Sequence, residues 1–225
     1  MPDWAGPVVE YILREGLPGT LRVSALALTG SLLLGVLLGT LITIRFLPLQ
    51  GLIRFYIEIC RGLPILVTVF IVYFGLGELT PALEFEPLNA AAIALTLWGS
   101  AQVAEATRGA VQSIPREQHE AAAALGFGWV GRHRSVILPQ ALRRLLPPLV
   151  GLLVNIIQNS TLAQVIGGLE TLEAGERQNE RIAAIPPIGL GEIKAFQIFA
   201  FVALIFFVIS FPLTRLAARL ERRLV

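Results

Sequence analysis

Between Arg22 and Arg45 the chain runs for 22 residues without a charged side chain. A helix of that length rises about 33 Å, enough to cross the hydrocarbon core of a bilayer. Backbone placed at that depth must satisfy its own N–H and C=O groups, which leaves helix as the form open to it. Four further apolar stretches follow, at residues 56–77, 87–104, 145–169 and 195–214. With 55% hydrophobic residues, 15% charged and a mean hydropathy of +0.71, the chain is an integral membrane protein and not a soluble domain. The expected fold is all-α with about five transmembrane helices in a single domain at 23–220, preceded by an extracytoplasmic segment at 1–22 and followed by a short tail at 221–225.

The spans differ in character. In the first, Gly30, Gly35 and Gly39 recur at near-helical spacing and predict one smooth face for a close helix neighbour. The second has only 16 uncharged residues, 62–77, and reaches full length by taking in 56–61, which sets Glu58 and Arg61 at the membrane boundary. The third carries Ser100 and Gln102 near its end. The fourth holds Asn155, Gln158, Asn159, Ser160, Thr161 and Gln164, a density of amides and hydroxyls expected to face a solute path or a subunit contact. The fifth is rich in phenylalanine and reads as lipid-facing. Upstream, Pro2, Pro7, Gly16, Pro18 and Gly19 predict a short surface helix and a turn, and Asp3 and Glu10 do not suit the basic start of a cleaved signal.

Charge sets the expected orientation. With the N-terminus outside, the inside segments hold 13 basic residues and the outside segments 5. The positive-inside rule therefore places the C-terminus in the cytoplasm.

The same rule puts the longest polar insert, residues 115–139, in the cytoplasm between the third and fourth spans. Pro115 suits a first helical turn, Glu117 and Glu120 place negative charge near a helix N-terminus, and Ala121 to Leu125 are strong helix formers. Gly126 and Gly128 then supply a turn, and a second short segment, 129–138, is expected to stop at Pro139. The product is an elbow whose alanine face admits a partner closely, with Phe127 and Trp129 as aromatic anchors.

Other chemistries are excluded or unsupported. Cys60 is the single cysteine, and His119 and His133 make no metal cluster. Basic residues are distributed by loop and not along one stripe, which argues against nucleic acid. No phosphate-cradling G-x-x-x-x-G-K-[ST] occurs, so the chain itself is not expected to hold a cofactor or to catalyse a reaction.

Several motifs, in order, resemble a known family. Glu120-Ala121-Ala122, Leu125-Gly126 and Ile137-Leu138-Pro139 match the EAA motif of the membrane subunits of bacterial ABC importers. Tyr56-x-Glu58-x-x-Arg61-Gly62-x-Pro64, residues 104–109, Ser113-Ile114-Pro115 and residues 139–143 look like the permeases for polar amino acids. The resemblance implies a type I importer (MetI-like) fold in the inner membrane, working by alternating access. It also implies two separate ATPase subunits that carry ATP and Mg, a second permease subunit, identical or paralogous, and an extracytoplasmic solute-binding protein. On this view Glu120, Ala121, Ala122, Leu125, Gly126, Phe127 and Trp129 couple to the ATPase, and membrane lipid surrounds the rest. The candidate amino acid path is lined by Glu58, Gln102, Gln158, Asn159 and Thr161. Two departures stand out: Gln158-Asn159-Ser160-Thr161-Leu162 where a Lys-Asp-Thr-Ser-Leu-like run is common, and Glu117 where glycine is usual. An autonomous secondary carrier or channel is the alternative, although five spans offer no inverted repeat within the chain.

Overall fold

The computed structural model describes residues 4–44, 46–79, 85–184 and 191–224, and every regular element among them is helical. In chain order these are α1 (Ala5–Leu41), α2 (Leu47–Gly62), α3 (65–79), α4 (Pro87–Gln112), α5 (Arg116–Ala124), α6 (Trp129–Ile166), α7 (Thr171–Ala183) and α8 (Gly191–Leu224). By length and composition, α1, α6 and α8 can each cross a membrane, and α2 with α3 would add a fourth, broken span. The expected third span, α4, is about 39 Å long at 26 residues, but Gln102, Glu105 and Arg108 dilute its apolar character.

The first departure from expectation lies at the N-terminus. Residues 5–41 form one helix instead of a surface helix and a turn. Pro18 is accommodated because the preceding turn, Ile12–Gly16, is a π-helix in which the Leu17 N–H donates to the Ile12 carbonyl. That widened turn relieves the clash a proline ring would make with the carbonyl four residues back. Gly16 and Gly19 are contact residues, not turn residues: a Cβ on Gly16 would sit 2.6 Å from Ala174 Cβ, and one on Gly19 would strike the Leu169 carbonyl oxygen.

The second departure concerns the span expected at 56–77. Leu63 is extended (φ −79°, ψ 139°) ahead of Pro64, so the helix breaks there and residues 56–62 belong to α2. Proline drives the residue before it out of the helical region, which the count of uncharged residues could not register.

Two compact units divide the chain. One takes residues 1–28, 64–96 and 154–212. Its core joins Val8 and Ile12 of α1 to Ala174 and Ile182 of α7 and to Ile198, Val202 and Ile205 of α8. Gly175 lets α8 approach, since a Cβ there would lie 2.8 Å from Val202 Cγ2. The exposed face of α8 carries Phe196, Leu204, Phe207 and Val208, as a lipid-facing span requires.

The other unit takes residues 29–63, 97–153 and 213–225. Here Gly35 and Gly39 supply the smooth face read from the sequence: a Cβ on either would collide with Val103 or with the Ala104 carbonyl of α4. Ile42, Ile53, Ile57 and Ala104 form one apolar cluster, and Tyr56 ties α2 to α4 through a 2.6 Å hydrogen bond to Ser100 Oγ. A second cluster, Val111, Ile114, Ile137 and Ala141, supports the elbow.

Candidate functional site

The elbow is built by two local rules. Pro115 precedes α5, Arg116 Nε donates to Glu120 Oε1 at 2.7 Å, and Ala122 turns inward, leaving Ala121, Ala123 and Ala124 exposed. At the C-terminus Gly126 adopts φ +84°, its N–H donating to the Ala123 carbonyl and the Phe127 N–H to the Ala122 carbonyl. This is the paired-bond helix stop that favours glycine. A Cβ on Gly126 would meet nothing within 4 Å, so backbone conformation and not space requires the glycine. Gly128 differs, with φ −65° and ψ 177°, a conformation any residue can take.

Beyond the turn, α6 does not stop at Pro139. The stretch His133–Ile137 is a second π-helix, with the Leu138 N–H donating to the His133 carbonyl, and Pro139 follows it as Pro18 follows the first. The elbow's second arm and the fourth span are therefore one helix, Trp129–Ile166.

Of the two expected anchors, Phe127 is exposed and covers Gly131, whereas Trp129 stacks on His133 with ring centroids 4.1 Å apart. His133 is buried, pairs Nδ1 with the Trp129 carbonyl at 2.9 Å and places Nε2 3.3 Å from Thr43 Oγ1. Trp129 thus buttresses the elbow from within. The exposed apolar tip is Leu125 with Phe127 and Val130, which are 78%, 39% and 69% exposed. Val130 joins this tip without a signal in the sequence, because nothing in its spacing separates it from an apolar residue facing inward.

At the foot of the elbow lies a recess of about 920 Å³ lined in part by Arg54, Arg108, Arg116, Arg132, His119 and His133, with Glu120 as its carboxylate. Partial burial, and then the nearby Arg132 guanidinium, hold His119 below its ordinary pKa. Among the described residues no group of three or more His, Cys, Asp or Glu could hold a metal ion.

The candidate path residues fall in both units. Glu58 borders a recess of about 290 Å³ with Arg54, Ile57, Glu105 and Arg108, the last two joined as an ion pair. Gln102 is half-buried on α4 of the same unit. Gln158, Asn159 and Thr161 belong to the other unit, where α6 tightens into the 3₁₀ turn Ser160–Ile166. Asn159 Nδ2 donates to the Asn155 carbonyl and Thr161 Oγ1 to the Gln158 carbonyl, so these side chains serve their own helix, while Gln158 is exposed.

One group was missed in the sequence. Glu170 is fully buried and caps α7, accepting from the Leu172 and Glu173 N–H groups at 2.9 and 2.8 Å and from Thr20 Oγ1 at 3.4 Å. Burial pushes its carboxyl up to about 7, against the pull of those hydrogen bonds. A glutamate is not among the favoured capping residues, which is why pattern reading passes over it.

An all-α membrane chain with an exposed, glycine-stopped elbow fits the membrane subunit of a transporter. Residues 11–225 match the model of the binding-protein-dependent transport system inner membrane component, and the chain belongs to that family. It is 34% identical over 210 residues to a probable glutamine ABC transporter permease protein, GlnM, of Bacillus subtilis, covering 93% of this chain and 92% of that one. It is 36% identical over 224 residues to the glutamine transport system permease protein GlnP of Escherichia coli, covering 99% and 97%. Among solved structures it superposes on an amino acid ABC transporter crystallised with histidines, with TM-score 0.79, 28% identity and 99% of each chain covered. The inward-facing MetNI methionine ABC transporter shares the fold, with TM-score 0.73 at 19% identity.

Proposed function

We propose that this permease carries polar amino acids inward, driven by separate ATPase subunits that dock on the elbow. The observation that supports this reading most is the elbow itself: Leu125, Phe127 and Val130 stand exposed beside a bare alanine face, on a turn fixed by Gly126. Such a surface suits a cleft in a partner. Glu120, Ala121, Ala122, Leu125, Gly126, Phe127 and Trp129 form or support it, and Trp129 acts through His133. ATP and Mg belong to the ATPase, this chain holding no phosphate loop. ATPase closure would bias a two-state bundle between inward- and outward-open forms. A second permease, identical or paralogous, completes the path, and a binding protein delivers solute on the outer side, where the N-terminus lies. Relatives described as glutamine permeases, and neutral amides at Gln158 and Asn159 in place of a charged pair, favour a neutral or cationic side chain on the solute.

The test is uptake of labelled amino acids by proteoliposomes holding the permease with its ATPase and binding protein. ATP-dependent accumulation of glutamine or a basic amino acid is expected. Accumulation without ATPase would support the autonomous carrier instead, and preference for glutamate would overturn the assignment of solute charge.

A further inference from the structure

We propose that the recess at the foot of the elbow is a phosphate-binding site, separate from the elbow's exposed tip. Four guanidinium groups line it against the single carboxylate of Glu120. Two of the four are already engaged: Arg116 Nε bonds Glu120, while Arg108 holds Glu105 and donates to Gln112 Oε1 at 2.6 Å. The other two carry the argument. Arg54 makes no ion pair among the described residues, and Arg132 Nε is buried without any hydrogen-bond partner. Buried donors in folded proteins have acceptors, so an orphaned guanidinium N–H beside three other guanidinium groups points to an anion that completes the site. Planar guanidinium forks match phosphate oxygens in pairs, which favours phosphate over a halide.

Position narrows the source. Ile42 and Thr43 line the recess immediately past the end of α1, at the level where the first long apolar run gives way to charge. Helix α2 turns Arg54 toward the recess while leaving Leu47, Leu52, Phe55 and Ile59 exposed along its length. An anionic phospholipid meets both features, its headgroup among the arginines and its chains along α2. Free inorganic phosphate meets the first alone.

The experiment uses the permease assembled with its ATPase subunits, delipidated in neutral detergent. Native mass spectrometry follows retention of phosphatidylglycerol and of phosphatidylcholine, with inorganic phosphate as competitor. The parent should retain phosphatidylglycerol about tenfold better than phosphatidylcholine, and Arg54→Gln with Arg132→Gln should erase the preference. Should inorganic phosphate bind and raise the melting temperature with no lipid preference, the site stands and its source is the free ion. Equal retention of phosphatidylglycerol by parent and double variant overturns the proposal. So does binding that appears only once the ATPase is stripped away, since the recess would then be an ATPase contact. If the double variant fails to assemble, Arg54→Gln alone, at an exposed side chain, decides by the same comparison.

Discussion

Thr20 Oγ1 lies 2.8 Å from Thr171 Oγ1 and accepts the Thr171 N–H at 3.1 Å, fastening α1 to the start of α7 beside the buried carboxyl of Glu170. Gly16 and Gly19 make the approach possible, and the clasp holds an acid whose neutral form is favoured by burial.

A pH dependence follows from that acid. Its folded-state pKa, about 7, lies above the ordinary 4.5, so the protonated form contributes stability that is fully present below 4.5 and lost as pH rises through 7. The contribution is on the order of 3 kcal/mol. Thermal unfolding in detergent should show the parent less stable at pH 8 than at pH 5, and Glu170→Gln should flatten that slope. An unchanged slope would remove Glu170 as its cause.

Two glycines of the elbow should behave differently. Gly126→Val forces a β-branched residue into φ +84°, at a cost on the order of 1–3 kcal/mol, and should abolish ATP-driven uptake while the chain still inserts in the membrane. Gly128→Ala faces neither strain nor steric contact and should retain at least half of the parent uptake by the order-of-magnitude rule for unstrained surface changes. Equal uptake by both variants would show that the left-handed turn is dispensable for coupling.

Orientation can be read by labelling. After replacement of Cys60, a cysteine at exposed Glu180 should react with an impermeant maleimide in intact cells, and one at Arg222 only after permeabilisation. The opposite pattern would reverse the topology drawn from the distribution of Arg and Lys.

For the solute path, Glu58→Gln and Gln158→Leu should each lower uptake about tenfold with assembly intact, the effect of removing one polar contact to a bound solute. Asn159→Leu tests the contrast, because Asn159 Nδ2 already bonds the Asn155 carbonyl and its loss should register in stability more than in selectivity. Parental rates and selectivity in both Glu58→Gln and Gln158→Leu would place the path elsewhere.

Much of this was readable from residue order. The apolar runs at α1, α6 and α8 carry their own length signal, the Gly35–Gly39 face predicted a close neighbour, and Gly126 announced the helix stop. The proline positions misled. A proline in a regular α-helix clashes with the turn before it and so marks a boundary, yet Pro18 and Pro139 each follow a π turn that removes the clash. Pro64 lies inside the apolar stretch 56–77, yet it breaks the helix. The sequence makes Trp129 an aromatic anchor like Phe127, because residue order does not reveal that a histidine four residues on will cover its ring. The clasp of Thr20, Glu170 and Thr171 depends on contact across about 150 positions, beyond the reach of any local pattern.

The π turn at His133–Ile137 amounts to one residue more than an α-helix needs over that stretch, and each residue turns a helix by about 100°. Excising a single residue there would remove the π turn and restore the clash of the Pro139 ring with the turn before it, and His133 and Trp129 would point about a quarter-turn away from Thr43 while Ile137 and Ala141 stayed against Val111 and Ile114. The elbow and the span share one helix but two angular settings, and the extra residue is the offset between them.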